Sequence, residues 1–263
     1  MKIAVSNIAW DTERDTEMLG FLSENGVTGL EIAPTRIISK EPYKHLNAFD
    51  DYKSCVNNQY HMSIVSLQSV LFGRRENIFG SSKERNDLIV SLENVFDLAA
   101  RLKCKNVVFG CPKNRIKKHA ADDETAIRFF SLVGNVAKKY DVILAIEPNP
   151  AIYGTNFLNT TEEVVKFVRR LNLGNVRINY DMGTAIYNSE PLSILRDNIS
   201  LINHIHISEP WLERPIIEDK HTRMAKTLRD LQYKNYVSLE MKEQANTELA
   251  KKTIKKFISV FNG

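Results

Sequence analysis

Short apolar runs alternate with longer amphipathic stretches along all of the 263-residue chain. Apolar runs of this kind are typical of strands buried on both faces, whereas apolar positions spaced by three or four residues predict helices. Strands are predicted at residues 2–8, 29–32, 63–70, 105–109, 142–147, 176–181, 202–207 and 236–240. Helices are predicted at residues 15–25, 46–60, 81–102, 122–140, 161–171, 191–196, 220–231 and 247–261.

This alternation predicts an α/β fold, a single (β/α)8 TIM barrel that spans residues 1–263 as one domain. Right-handed crossover connections turn such a pattern into a parallel sheet, and eight units favour a closed barrel over an open sheet. The chain has no linker rich in serine or glycine and no change of composition between its halves. It also lacks the glycine-rich fingerprints of Rossmann and P-loop proteins, which disfavours both alternatives.

Composition and charge narrow the class of protein. Hydrophobic residues make up 43% of the chain and charged residues 26%, which is typical of a globular protein with a full core. The net charge of +4 is modest and the basic residues are scattered, so we expect no nucleic-acid partner. No apolar run reaches membrane-spanning length, and the first residues read as a strand rather than a secretion signal. The three cysteines form no CxxC pattern, which favours reduced thiols and a cytoplasmic location.

Each of the last four predicted strands carries a potential metal ligand at or near its carboxyl end: Glu147, Asp181, His206 and Glu240. Ligands of parallel α/β proteins bind at that end of the strands. A single carboxylate at a strand end is more often a helix cap or a surface charge. The prediction therefore depends on the occurrence of a potential ligand in each of four consecutive strands. Three carboxylates that point into one barrel mouth repel one another unless a cation neutralises them.

This oxygen-rich set with one imidazole suits one divalent cation. We expect Mn²⁺ first, with Mg²⁺, Co²⁺, Zn²⁺ and Fe²⁺ as alternatives. The set contains no thiolate, which argues against a structural zinc site. Side chains two apart on a strand share a face, so small or polar residues lie below the ligands. One of them, His204, is interpreted as a core or supporting histidine bonded to a backbone carbonyl.

The order and spacing of these ligands resemble those of the xylose-isomerase-like barrel superfamily, in particular its sugar-phosphate isomerase/epimerase and ketose 3-epimerase members. The resemblance covers nearly the whole chain. The phrases that carry it are Ile146-Glu147-Pro-Asn-Pro, Tyr180-Asp181-Met-Gly, His204-Ile-His206-Ile-Ser-Glu-Pro and Ser238-Leu-Glu240.

The resemblance implies a metal-dependent sugar or sugar-phosphate isomerase or epimerase. Asp181 and His206 would hold the metal, while Glu147 and Glu240 would act both as ligands and as the acid/base pair. The substrate would bind the metal through its carbonyl and an adjacent hydroxyl, which stabilises the enediolate formed when a proton is removed. Relatives often form dimers or tetramers, so a homo-oligomer is an open expectation with no interface assigned.

Two departures from the family pattern matter. Many epimerase relatives have a histidine three residues after the aspartate of the sixth strand, where this chain has Thr184. A sugar contact made by that histidine would be lost or reassigned. The apurinic-endonuclease branch needs further ligands for three zinc ions, but this chain has Gln68, Cys111 and His204 at the relevant positions, so a trinuclear DNA-repair site is not expected.

Several other residues near the predicted barrel mouth are candidates for substrate binding. Lys113 and Arg115 could bind a phosphate or carboxylate, although such residues are more often solvated loop charges. Trp10 could wall the apolar face of a sugar ring, or simply cap the end of the barrel. The remaining candidates are Glu31, Gln68, Asn149, Asn156, Glu209 and Arg214. Glu31 could instead hydrogen-bond a metal ligand.

Two alternatives stay open beside the isomerase or epimerase, and a third, an endonuclease, is disfavoured. An inosose-type dehydratase would use the same metal chemistry but expel a hydroxyl group. A non-catalytic carbohydrate-binding barrel would exchange no substrate proton with solvent. The presence of Thr184 in place of the family histidine keeps this alternative open. An abasic-site endonuclease would nick DNA and bind it with a strong salt dependence.

Overall fold

Eight parallel strands form a closed barrel and follow one another around it in chain order. The computed structural model describes residues 1–119 and 122–262. The strands are β1 (Lys2–Ser6), β2 (Gly29–Ile32), β3 (Ser63–Leu67), β4 (Asn106–Phe109), β5 (Ile143–Ile146), β6 (Val176–Asp181), β7 (Ile202–Ile207) and β8 (Tyr236–Leu239). The barrel closes where β1 pairs with β8, in a register that sets Ala4 beside Ser238. The predicted fold class is therefore confirmed.

The helices surround the barrel, and several begin at side-chain caps that are visible in the sequence. Ser81 and Glu84 form a reciprocal capping box, as do Thr160 and Glu163, so four otherwise unpaired backbone N–H groups donate to nearby side chains. None of the helices that the structure describes is long and apolar enough to cross a lipid bilayer. The helices are α1 (Asp15–Glu24), α2 (Pro34–Ile37), α3 (Leu46–Asn58), α4 (Ser82–Leu102), α5 (Asp123–Lys139), α6 (Thr161–Leu171), α7 (Met182–Tyr187), α8 (Leu192–Asp197), α9 (Asp219–Asp230) and α10 (Thr247–Phe261).

The structure differs from the sequence prediction mainly after the strands. Strand β1 ends at Ser6 rather than at residue 8, and β3 ends at Leu67 rather than at residue 70. Helix α7 was missed because it follows β6 without a loop. Its start is capped by the last residue of the strand, since the Thr184 backbone N–H donates to Asp181 Oδ2 at 2.6 Å.

The apolar core lies between the strands and the helices, while the inside of the barrel is polar. Along β7, Ile205 and Ile207 face the helices, whereas His204 and His206 point inward, and all four are buried. Edge-to-face phenylalanine contacts join β4, α5 and α6, with ring centroids 5.0 Å apart for Phe109 and Phe130. This packing holds the strands, so the polar interior can serve a site.

The helix glycines Gly134 and Gly20 test this packing as a matched pair. A methyl group on Gly134 in α5 would lie 2.8 Å from Val176 Cγ2 in β6, whereas one on Gly20 in α1 would meet nothing within 4 Å. Both alanine substitutions gain about 1 kcal/mol of helix propensity. We expect Gly20→Ala to raise the free energy of unfolding by up to about 1 kcal/mol. Gly134→Ala should lower it by about 1–2 kcal/mol, because overpacking a stiff β-branched neighbour is destabilising. Urea unfolding measures the free energy of unfolding of both variants. An equal rise in the two variants would contradict the tight contact between α5 and β6.

Candidate metal centre

A cavity of about 560 Å³ opens at the carboxyl ends of the strands. Its floor is formed by the four predicted ligands Glu147, Asp181, His206 and Glu240, each of which is nearly buried. The walls come from β4 and from the loops that follow four strands, β3, β4, β5 and β7: Gln68, Ser69, Val108, Gly110, Pro112, Lys113, Asn149, Ile152, Tyr153, Gly154, Trp211 and Leu212.

The four floor residues each offer one ligand atom, and these atoms all lie within 4.8 Å of one another. His206 Nδ1 lies 2.9 Å from Glu147 Oε1 and 3.1 Å from Glu240 Oε2. The sheet sets this geometry, because Asp181 and His206 are neighbours in the β6–β7 register and the Glu240 N–H donates to the Ile207 carbonyl at 3.0 Å. The cluster could hold a metal ion.

Amide groups hold the Glu147 carboxylate on both sides. Asn179 Nδ2 donates to Glu147 Oε1 at 2.6 Å, and Asn149 Nδ2 donates to Oε2 at 3.0 Å. Gly110, at the end of β4, leaves room for this carboxylate, because a Cβ there would overlap Glu147 Oε2. The position of Glu147 therefore depends on β6 and on the end of β4 as well as on its own loop.

Hydroxyl groups fix Asp181 in the same way. Oδ2 accepts from the Thr184 N–H and lies 2.6 Å from Thr184 Oγ1, while Oδ1 accepts a short hydrogen bond from Ser208 Oγ. Thr184 is fully buried and does not line the cavity. Thr184 thus orients the carboxylate of Asp181 rather than contacting the space that a substrate would occupy.

Glu31 orients the imidazole of His206 from below. Glu31 Oε1 lies 3.0 Å from His206 Nε2, and Ser238 Oγ donates to Oε2 at 2.9 Å. A carboxylate at Nε2 favours the proton on that nitrogen and leaves Nδ1 free to face the cluster, which is the usual support of a metal-binding histidine. His204 is also buried, with Nε2 3.4 Å from Glu31 Oε1.

Burial and neighbouring charges shift the pKa values of the cluster away from those of the free side chains. Burial, together with the charge of Glu147, raises the pKa of Glu240 to about 7 and raises the pKa of Asp181. Burial opposes a charge on His206, yet Glu240 and Glu31 beside it raise its pKa well above the ordinary value. Burial likewise opposes a charge on Glu31, but His206 and His204 lower its pKa well below the usual range. A divalent cation at the floor would replace these protons and relieve the repulsion.

The described residues offer one further group with metal-ligand chemistry, formed by Glu31, His204 and His206. It shares His206 with the floor cluster and uses the opposite side of the same imidazole. Its three members are almost fully buried, at 0–1% exposure. Of the three, His206 alone lines the cavity. The geometry therefore makes this group the support of the cluster above it.

Three of the other predicted binding residues line the cavity: Gln68, Lys113 and Asn149. Gln68 is held by Ser6, whose Oγ accepts from Gln68 Nε2 at 2.9 Å. Glu31 lies beneath the floor, where it contacts the metal-ligand candidate His206 rather than the space that a substrate would occupy.

The remaining candidates do not line the cavity. Arg115 is fully buried behind the fifth strand, and its Nη2 donates to the Glu147 carbonyl at 2.8 Å. Trp10 is buried, with its indole N–H on Asp15 Oδ1 at 2.7 Å. The others are held by loop or surface partners: Glu209 pairs with Lys220 at 2.6 Å, Arg214 donates to Thr253 at 3.1 Å, and Asn156 accepts from the Lys117 N–H at 2.7 Å.

Several residues of the site were not singled out from the sequence. The alternation along a strand does place Asn179 on the inward face below Asp181, and it could likewise have indicated Ser208, two residues after His206. Tyr153 and Trp211 carry no such signal, because they come from loops after β5 and β7 that meet only in the folded chain.

Gly110→Ala tests the packing of Glu147 without changing a ligand. The added methyl group must displace the Glu147 carboxylate, so we expect the affinity for Mn²⁺ to fall about ten- to a hundredfold. Gly174→Ala is the control, because its methyl group would meet nothing within 4 Å. Isothermal titration calorimetry gives both affinities, and wild-type affinity in Gly110→Ala would show that Glu147 does not contribute.

Cation uptake should depend on pH, because the floor cluster holds protons before a cation binds. The pKa of Glu240 is raised to about 7 and that of His206 is raised well above its ordinary value, so both groups must release protons to become ligands. Mn²⁺ affinity should therefore rise from about pH 6 to about pH 8, and binding should release protons. Titrations in buffers of different ionisation enthalpy measure this release, and an affinity independent of pH in this range would contradict it.

Solved structures with the same fold include sugar epimerases and a dehydratase. The 3-keto-D-glucoside 4-epimerase of E. coli superposes with a TM-score of 0.80 at 18% identity, covering 98% of this chain and 99% of that one. The D-psicose 3-epimerase of Clostridium cellulolyticum H10 gives 0.81 at 16% identity over 100% and 98%. The probable 3-DHS dehydratase AsbF of Bacillus anthracis gives 0.73 at 15% identity over 100% and 99%. At these identities the likeness shows the barrel fold alone.

Sequence comparison places the chain within a family. No curated protein sequence matches it. A family profile described as xylose isomerase-like TIM barrel matches residues 19–259, which is most of the chain. The chain belongs to the xylose isomerase-like TIM barrel family.

Proposed function

We propose that this protein is a divalent-metal-dependent isomerase or epimerase of a small carbohydrate. One observation carries the proposal: the ligand atoms of Glu147, Asp181, His206 and Glu240 meet within 4.8 Å at the floor of an open cavity. The structures with the same fold include enzymes named as epimerases of keto sugars, which supports this reaction class.

The chemistry of the donor set fits one hard divalent cation, with Mn²⁺ first. Three carboxylates and one imidazole supply mainly oxygen ligands, and the two candidate metal groups among the described residues share His206. When bound, the cation polarises a substrate carbonyl and stabilises the negative charge that develops on its oxygen. Asp181 and His206, which are held by Thr184, Ser208 and Glu31, would serve as ligands only.

Glu147 and Glu240 are the proposed acid/base pair. Both reach the cavity, and they flank His206 from the carboxyl ends of β5 and β8. One carboxylate removes the proton from the carbon beside the carbonyl, and the other returns a proton. Return to the opposite face of the same carbon gives an epimer, and return to the neighbouring carbon gives an isomer.

The cavity lining also favours a small carbohydrate over nucleic acid as the partner. Lys113 is the single lysine or arginine among the residues described as lining it, whereas three carboxylates form its floor. A nucleic-acid backbone needs a dense basic surface. Polar floor groups beneath apolar walls are typical of a site for a small polar molecule.

Metal content and proton exchange test the proposal. Protein purified without chelator should carry about one divalent ion per chain, and Asp181→Asn should lose it. In D₂O, the wild-type protein should incorporate deuterium beside the carbonyl of a sugar in a panel of keto sugars and aldoses. Glu240→Gln should slow this exchange about a thousandfold, because it removes one of the two proton-transfer groups. Glu213→Gln, which replaces an exposed carboxylate in the loop after β7, is the control. It should change neither the metal content nor the rate of deuterium exchange.

The outcomes separate the alternatives. Loss of water with a new enone absorption would assign a dehydratase. A bound ion without exchange of any sugar in the panel would assign a carbohydrate-binding barrel. About three ions per chain together with DNA nicking would overturn the mononuclear site.

A further inference from the structure

Two aromatic side chains, those of Tyr153 and Trp211, form the outer wall of the cavity. We call this pair the aromatic wall. Tyr153 comes from the turn after β5 and Trp211 from the turn after β7. Their ring centroids lie 5.4 Å apart at 84°, an edge-to-face contact. Trp211 is 56% exposed although it lines the cavity, so part of an indole face is open to a ligand.

The backbone that presents Trp211 is strained. Trp211 (φ 63°) and the next residue, Leu212 (φ 52°), both adopt the left-handed conformation, which side chains with a Cβ rarely occupy. Strain of this kind persists only where surrounding contacts impose it, and it concentrates at ligand sites.

Hydrogen bonds impose this conformation from three directions. The Trp211 N–H donates to Tyr153 Oη at 2.8 Å, and the Leu212 N–H donates to the Glu209 carbonyl at 3.0 Å. The Lys242 N–H donates to the Leu212 carbonyl at 2.8 Å. The turn is thus fixed against both the β5 and the β8 loops, and the aromatic wall is organised before any ligand binds.

The cavity is larger than one sugar unit needs. At the packing density of a protein interior, a hexose fills roughly a third of the 560 Å³ available. A unit bound at the floor cluster therefore leaves space beneath the aromatic wall. Ile152 and Leu212 line the cavity beside Tyr153 and Trp211, so this outer space suits the apolar face of a ring rather than another charged group.

We propose that the aromatic wall is a second subsite, which binds the ring attached to the reacting carbohydrate, so that the substrate is a glycoside. The proposal rests on the proposed function for the unit at the floor. A glycosidic bond blocks the anomeric carbon. The reacting carbonyl must then lie on another carbon of the sugar, and the attached ring must extend toward Trp211.

The test compares the binding of 4-nitrophenyl glycosides, which are analogues without the reacting carbonyl, with the binding of the corresponding free hexoses, for several hexoses, on the Mn²⁺-loaded protein. We expect the glycosides to bind about tenfold more tightly. The chain has two tryptophans, and Trp10 is buried, so Trp10→Phe leaves Trp211 as the only reporter. Its fluorescence should be quenched saturably, because the nitrophenyl ring would lie against the indole.

Three substitutions locate the effect. Trp211→Ala should abolish the preference for the glycoside while changing the affinity for the free hexose less than about twofold, and Trp211→Phe should keep most of the preference. Phe72→Ala is the matched control, because Phe72 is an aromatic residue at 76% exposure in the loop after β3 that does not line the cavity. Circular dichroism verifies that each variant is folded.

Equal affinity for glycoside and free hexose would overturn the subsite, as would binding of neither, or an equal loss of both in Trp211→Ala. Metal content and deuterium exchange are measured on the same preparations. A protein that takes up its cation and exchanges a free sugar but prefers no glycoside would contradict the subsite alone. A protein that prefers glycosides through Trp211 but binds no cation would contradict the metal-dependent function alone.

Discussion

The repulsion among three buried carboxylates is the constraint on which the rest of this site depends. Glu147, Asp181 and Glu240 converge on His206 in a poorly solvated space, where burial and the charge of Glu147 raise the pKa of Asp181 and of Glu240. The fold does not disperse them. It supplies amide and hydroxyl donors to Glu147 and Asp181, and a carboxylate, that of Glu31, to the far side of His206. Such support holds ligand atoms in place before a cation arrives.

The polar interior of the barrel is a consequence of this arrangement. Most barrels of this type are filled by branched apolar side chains. Here Glu31 lies fully buried inside the barrel, with two imidazoles and the Ser238 hydroxyl as its neighbours. A buried carboxylate without such partners would be strongly destabilising. Stability therefore comes from the apolar layer outside the strands, which leaves the inside available for the site.

Close backbone approach completes the site at two glycines. Gly110 makes room for the Glu147 carboxylate, and Gly183 brings the start of α7 against the loop after β7, where a Cβ would lie 2.9 Å from the Glu209 carbonyl carbon. The second contact lets the Gly183 N–H donate to Ser208 Oγ at 2.9 Å, and Ser208 in turn donates to Asp181. Helix α7 and the β7 loop thus act together on the Asp181 carboxylate.

The sequence by itself determined the strands, the closed barrel and the four residues at its floor. Apolar runs and helical spacing are local properties that can be read along the chain. The strand ends of a parallel barrel must meet at one face, so the proximity of Glu147 and Asp181 could be predicted. Only the tertiary structure decided the walls, because loops follow contacts between distant residues. It buried Trp10 on Asp15 and brought Trp211 to the cavity through a hydrogen bond to a tyrosine 58 residues away.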